Sequence, residues 1–339
     1  MFFIFLSAGS YAQIGGNYTY SFLNLSNSSR VAALGGKLIS MKDHDLNLVF
    51  YNPSLLNDQM NQHLSVNYSN YFLDINYGYV GYSWKHQKLG NVSTGLQYIS
   101  YGNFTRADYT GAIQGEFRSD EYAFQFSWAY QIDSMLTAGV NMKPVFSHFE
   151  RYFSLGLATD WGITYHNQPK GLTAALVLRN LGFQLIPYHR GDREPLPFEI
   201  QLGITQKLAH APFRFSFLFH HLESFDLTYD KPDELATGDY INQTEMAAWE
   251  KAADYVLRHV NVGVEFLPFD SFYFSLGYNF QRKKELQIPS RMSTVGLSWG
   301  FGVNIAKFKL GFARSHYHLA GSTNHFSLST NLSRFYRRQ

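Results

Sequence analysis

The sequence predicts an all-β fold, a 14-stranded antiparallel transmembrane β-barrel of the outer membrane with an N-terminal plug segment. Three observations carry that expectation. Aromatic residues make up 17% of the 339 residues and charged residues only 16%, against about 25% charged in soluble domains. No run of eighteen apolar residues exists, which excludes a membrane-spanning helix after the N-terminus. The apolar residues are instead dispersed two apart, in segments with one large greasy face and one small or neutral face.

Met1 to Ala12 (MFFIFLSAGSYA) reads as a signal peptide with a cut after Ala12. No Lys or Arg precedes its apolar core, so its start is truncated or assigned too late. Residues 13–61 are expected to form an N-terminal extension and plug, and 62–339 the barrel. Within the first, Asn27 to Leu56 does not alternate. Asn27 or Ser28 can cap a short helix over Val31 to Leu34, and Gly35-Gly36 can end it in the left-handed conformation. Asn52-Pro53 repeats the start signal, with Asn at the cap and Pro at the first helical position. A small irregular unit ahead of a strand meander suggests a plug inside a barrel. The alternative is a capping helix on a soluble β-sandwich.

The strands are clearest where alternation is strict. Tyr122, Phe124, Phe126, Trp128 and Tyr130 oppose Ala123, Gln125, Ser127 and Ala129. Phe213 to Phe219, Phe272 to Phe280 and Val295 to Val303 repeat the pattern. A soluble sandwich would carry Lys and Glu on its second face. About fourteen such segments of roughly ten residues occur, the length a tilted strand needs to cross a bilayer. They begin near Leu64, Ile75, Val92, Tyr122, Leu136, Phe153, Leu172, Phe198, Phe213, His259, Phe272, Met292, Lys307 and Asn324. Even-numbered connections are tight. The longest, Phe104 to Asp120, Gly182 to Pro197 and Asp226 to Arg258, are all odd-numbered. That parity puts the long loops outside and both termini in the periplasm.

The plug residues Arg30, Asp45, Asn52 and Pro53 are the first candidate site. A charge held inside a barrel needs a partner, so Arg30 is expected to meet a carboxylate or carbonyls; at the barrel mouth it would be solvated. The second candidate site is the pair of long loops. The acidic loop Asp226 to Arg258 contains an amphipathic helix pattern with Met246, Trp249, Ala253 and Val256 near one face. It reads as a lid or as a docking surface. The loop Gly182 to Pro197 carries Arg190 and Arg193, and Trp249 and Arg193 are expected anchors, because Trp and Arg dominate interface hot spots.

The remaining chemistry is sparse. The chain has 13 His and no Cys. His316 and His318 fall on the opposite parity to His325, and the adjacent His220 and His221 diverge in a regular strand, so no metal site is expected. No phosphate loop, dinucleotide fingerprint or zinc-protease motif occurs. The net charge of +2 and the pattern of basic residues point to no nucleic-acid partner. Neither a cofactor nor catalysis is expected.

Several stretches carry a family resemblance. NSSRVAALGG, DHDLNLVFYNPSLL, and LQYISYGNF followed by D-x-x-G-x-x-x-G-x-F at Asp108 to Phe117 resemble the PorV/PorQ branch of the FadL-like barrels. LVLRNLG, RHVNVGVEFLP, FSLGYNFQRKKEL and HLAGSTNHFSLSTNL resemble the PorQ subgroup more closely. One departure is Ser54, where many FadL-like proteins have Ala. The resemblance spans nearly the whole mature chain. It implies an outer-membrane component of the type IX secretion system of Bacteroidetes, in a cell-surface attachment complex of PorU, PorV, PorQ and PorZ type. Such a component sits in outer-membrane lipid and anchors a surface protein of PorZ type without taking a small-molecule substrate. The alternative is a FadL-like channel for hydrophobic solutes, which needs an apolar pocket beside the plug.

Overall fold

The computed structural model describes residues 18–227, 248–286, 294–318 and 321–335. The expected signal peptide, Met246, Met292 and most of the acidic residues of the Asp226 to Arg258 loop lie outside the described residues. Fourteen antiparallel strands form one closed barrel in sequence order. They are β1 (His63–Asn70), β2 (Asn76–His86), β3 (Gly90–Ala107), β4 (Ile113–Gln131) and β5 (Leu136–Phe149). Next come β6 (Tyr152–Asn167), β7 (Leu172–Ile186), β8 (Glu199–Lys207), β9 (Phe213–Phe219) and β10 (Val260–Phe269). The last are β11 (Phe272–Asn279), β12 (Leu297–Ile305), β13 (Phe308–His318) and β14 (Gly321–Asn331). The wall closes where β14 pairs with β1, from His63↔Asn331 to Asn70↔Asn324. Closure leaves no sheet edge, the condition for a β-structure to cross lipid. Among the described residues no helix is long and apolar enough to cross a membrane.

Alternation sets which side chains meet lipid. Trp128, Phe217 and Phe274 are 41%, 44% and 39% exposed on the outer face, while Ser127, Ser216, Ser275 and Ser298 are buried inside. Trp299 pairs with Leu276 on the outer face. Phe274→Arg is therefore expected to cost about 2–4 kcal/mol if Phe274 lies near the midplane, measured by denaturant unfolding in lipid vesicles. Ser275→Arg, by contrast, meets a full interior: Ser275 is completely buried and donates to Glu265 Oε1 at 3.3 Å.

Four segments differ from the sequence expectation, the first being Gly182 to Ile186, expected in a loop but part of β7. Phe104 to Asp120 is not a loop. The β3–β4 ladder continues through Phe104↔Phe117, whose rings stack at 5.1 Å, and bulges beyond Ser100 had masked the alternation. Val295 precedes β12 and is buried, because Gly296, at φ +91°, turns the chain there. Phe280 ends no strand but opens a helix, Phe280–Leu286.

Six tight connections, each following an even-numbered strand, mark one mouth of the barrel. The ends of β1 and β14 at His63 and Asn331 lie there. The chain before β1, however, crosses the lumen. Thr19 N–H donates to the Pro195 carbonyl, and Tyr20 packs over Gly156, both at the long-loop mouth. Strand parity counts only wall segments, so it does not tell which mouth Thr19 and Tyr20 reach.

Candidate functional site

The interior is built by the chain from Tyr18 to Gln62, which coils through the barrel as short turns. Helix α1 (Ser29–Ala33) ends at Gly35 and Gly36, both at φ +93°, and Gly36 N–H reaches the Val31 carbonyl at 2.9 Å. Asp45 opens a 3-10 turn by accepting from Asn47 N–H at 3.2 Å. Asn52 opens the next, accepting from Ser54 N–H at 3.0 Å, with Pro53 at its first position. The Asn52 amide also donates to the Ile39 carbonyl at 2.7 Å and to Thr164 Oγ1 at 3.0 Å.

The small inner face of the wall holds plug backbone rather than an open lumen. A Cβ on Gly277 would stand 2.2 Å from Gly35 N, and one on Gly139 would stand 2.5 Å from the Pro53 carbonyl carbon. Gly300 faces Ala33, and Gly302 lies under the Tyr273 ring.

Arg30 is 4% exposed and sits at the centre of a charge network that joins plug and wall. Its Nε and Nη2 donate to the two Glu265 oxygens at 2.7 and 3.2 Å, a bidentate pair with the wall. Its Nη1 reaches Asp43 at 2.7 Å and Asp45 at 3.4 Å, and the guanidinium lies 5.0 Å from the Tyr273 ring centre. Arg214 and Lys309 complete the set. Burial pushes the Asp43 carboxyl up, but Arg30, Lys309 and Arg214 outweigh it and hold it below the usual carboxylate range.

A second network joins Lys143 to Asp160 at 2.7 Å and to Asn180 Oδ1 at 2.6 Å. Beside it Arg179 lies 5.7 Å from both the Phe50 and Tyr51 ring centres and donates to the Leu23 carbonyl at 3.2 Å. Arg179 and Asn180 both point inward because β7 bulges there and Asn180 takes φ +54°. Sequence reasoning missed Glu265, Lys143 and Asp160. Their signal was parity, since each is a charge on the small inner face of its strand.

At the tight-turn mouth a cavity of about 860 Å³ has a mixed lining, with Lys42, His44, Asn57, Gln131, Lys207 and Asp270 beside Met41, Leu56, Leu267, Phe269 and Phe272. Its charged groups set it apart from the predominantly apolar pocket of a hydrophobic-solute site.

Among the described residues the long-loop mouth carries two helices. Helix α2 (Ala248–Arg258) exposes Trp249, Ala252, Val256 and Leu257, and Trp249 is 71% exposed. Ala253, expected on that stripe, is half-buried instead. Asp254 ties α2 to Arg258 at 3.0 Å and to Lys284 at 2.6 Å, on α3 (Phe280–Leu286). Arg282 of α3 is buried; its guanidinium lies 4.1 Å from the Tyr317 ring centre and donates to Gly35 O at 3.3 Å. Arg190 and Arg193 are exposed on the β7–β8 loop.

His316 and His325 divide as their parity predicts. His325 is buried inside and bonds Ser69 at 2.8 Å, whereas His316 faces outward against Ser322 at 3.1 Å. His220 and His221 do not diverge. The strand stops at Phe219, and His221 adopts φ +54°, so both rings gather beside Glu199.

No protein-family model matches the chain, and no curated protein matches it. Solved structures share its fold. The Ralstonia pickettii toluene transporter TbuX superposes with a TM-score of 0.51 at 11% identity, covering 91% of this chain and 99% of that one. The CymD monoaromatic hydrocarbon channel gives 0.51 at 14%, over 90% and 97%. The Pseudomonas putida toluene transporter TodX gives 0.51 at 10%, over 90% and 96%. At these identities the likeness establishes the fold, a 14-stranded outer-membrane type of barrel.

Proposed function

We propose that this barrel is a non-enzymatic outer-membrane anchor that holds a surface protein at its long-loop mouth. The resemblance to the PorV/PorQ branch makes that role a component of a type IX secretion attachment complex, with a PorZ-type protein as partner. The observation that carries the reading is the filled interior. Val31, Ala32, Ala33, Leu48 and Val49 of the plug have no exposed surface, and the carboxylates of Glu265, Asp160 and Glu199 are each paired with a cation. A wall packed like a domain core suits a rigid support better than a conduit.

The second reading is a channel for hydrophobic solutes. TbuX and TodX are toluene transporters and CymD is a monoaromatic hydrocarbon channel, so the comparisons taken alone favour it. The charged groups in the mixed lining of the cavity beside the plug, Lys42, Lys207 and Asp270 among them, rank it second.

Deletion of residues 228–247 with closure of the loop is expected to leave a heat-resistant barrel and abolish co-purification of the surface protein from outer membranes. Trp249→Ala alone is expected to weaken retention by about 2 kcal/mol or more, the cost of a hot-spot aromatic. If the partner is retained after deletion and uptake of toluene-like solutes falls instead, the channel reading replaces the anchor.

A further inference from the structure

At the long-loop mouth, Glu199 at the start of β8 and His220-His221 after β9 bring three metal-binding atoms within 4.8 Å of one another. Glu199 Oε1 lies 3.7 Å from both His220 Nδ1 and His221 Nε2. The focus of the three is taken by a cation of the plug. Lys37 Nζ is 2.6 Å from Glu199 Oε1, 3.4 Å from His220 Nδ1 and 3.3 Å from His221 Nε2. An ammonium is only a donor, so both ring nitrogens facing it present lone pairs. These are the atoms and protonation states a divalent metal takes.

The surrounding shell is also built. His221 Nδ1 lies 2.9 Å from Glu223 Oε1, and Glu223 Oε2 accepts from Ile200 N–H at 2.8 Å. A carboxylate on the far nitrogen of an imidazole fixes the tautomer and raises the basicity of the near one, as behind metal-ligating histidines. Glu199 Oε2 and His220 Nε2 are buried with no partner among the described residues. The two Glu199–histidine separations of 3.7 Å need to close by only a few tenths of an ångström to meet bonds of about 2.0–2.2 Å, and the histidine nitrogens, within 4.8 Å of each other, need a larger rotation of one ring.

We infer that Glu199, His220 and His221 form a divalent transition-metal site of the zinc class, in which Lys37 acts as a built-in competing cation. Metal entry expels the Lys37 side chain, which is 15% exposed, and leaves a fourth position for water. It also releases the plug from its ion pair with β8. This inference does not rest on the anchor reading.

Cobalt(II) titration of the full-length barrel in detergent tests it, with zinc displacement as the second measurement. Lys37→Met is expected to bind one cobalt per chain with the intense visible bands of a tetrahedral site, at least tenfold more tightly than wild type. Adding His221→Ala to that variant is expected to remove the bands, and zinc to bleach them. Should K37M fail to give a heat-resistant barrel, K37Q, which keeps a donor beside Glu199, carries the same comparison. Absence of uptake in the folded Lys37 variant, or uptake unchanged by His221→Ala, overturns the site.

Discussion

Arg30→Met is expected to destabilise the folded protein by about 3–5 kcal/mol, the cost of removing one partner from a buried charge network. Three carboxylates, Glu265, Asp43 and Asp45, converge on this guanidinium, and without it the cations left to them among the described residues are Arg214 and Lys309 at 3.4–3.6 Å. The exposed pair Lys85–Asp58 provides the contrast, with side chains 54% and 67% accessible. Lys85→Met is expected to cost at most about 1 kcal/mol, since water screens such a pair. Denaturant unfolding of the refolded barrel measures both. Protease sensitivity of the plug separates its release from loss of the wall. Equal small effects would show that packing alone retains the plug.

The same network sets a pH window. Asp43 has a folded-state pKa below its unfolded value, so its stabilisation is complete above the unfolded value of about 3.9. It is lost as pH falls through the depressed folded value. Wild type is therefore expected to lose stability in acid more steeply than an Asp43→Asn variant, whose curve should be flatter below about pH 4.

Lys143→Met is expected to cost a similar 3–5 kcal/mol by stranding Asp160, which has no exposed surface. Asp160 keeps hydrogen bonds from Asn180 N–H at 2.8 Å and the Asn141 amide at 3.1 Å, but loses the ammonium at 2.7 Å. Lys143→Met combined with Asp160→Leu is expected to recover most of that loss, because replacing a whole buried pair by apolar groups is often neutral or stabilising. The coupling energy from the cycle is the decisive number. A double variant as unstable as the single one would mean that the pair positions Asn180, which also donates to Asn24 at 2.8 Å and to the Pro197 carbonyl at 3.0 Å.

Much of the wall was legible because lipid leaves a strand few choices. Polar backbone must pair with neighbours, side chains alternate, and an outward residue must be greasy. The expected starts Leu136, Leu172, Phe213 and Phe272 coincide with β5, β7, β9 and β11. Alternation misled where it ran on by accident, as at Phe280, which continues the parity of β11 but begins α3. It also hid real ladder pairing where bulges broke the period, as between Ser100 and Asn103.

Sequence alone therefore determined the class of fold, the strand period, the lipid-facing residues and the helix-ending role of Gly35-Gly36, because each depends on neighbours a few positions away. Only the tertiary structure decided that Arg30 meets Glu265, 235 positions along the chain, or that Lys37 stands between two histidines that strand parity sets apart. Inner-face parity marks Glu265, Asp160 and Lys143 as charges that need partners, but it does not name them. Which pairs form depends on how the plug threads the lumen and where the strands end. Those are long-range packing outcomes, and no local spacing in the chain encodes them.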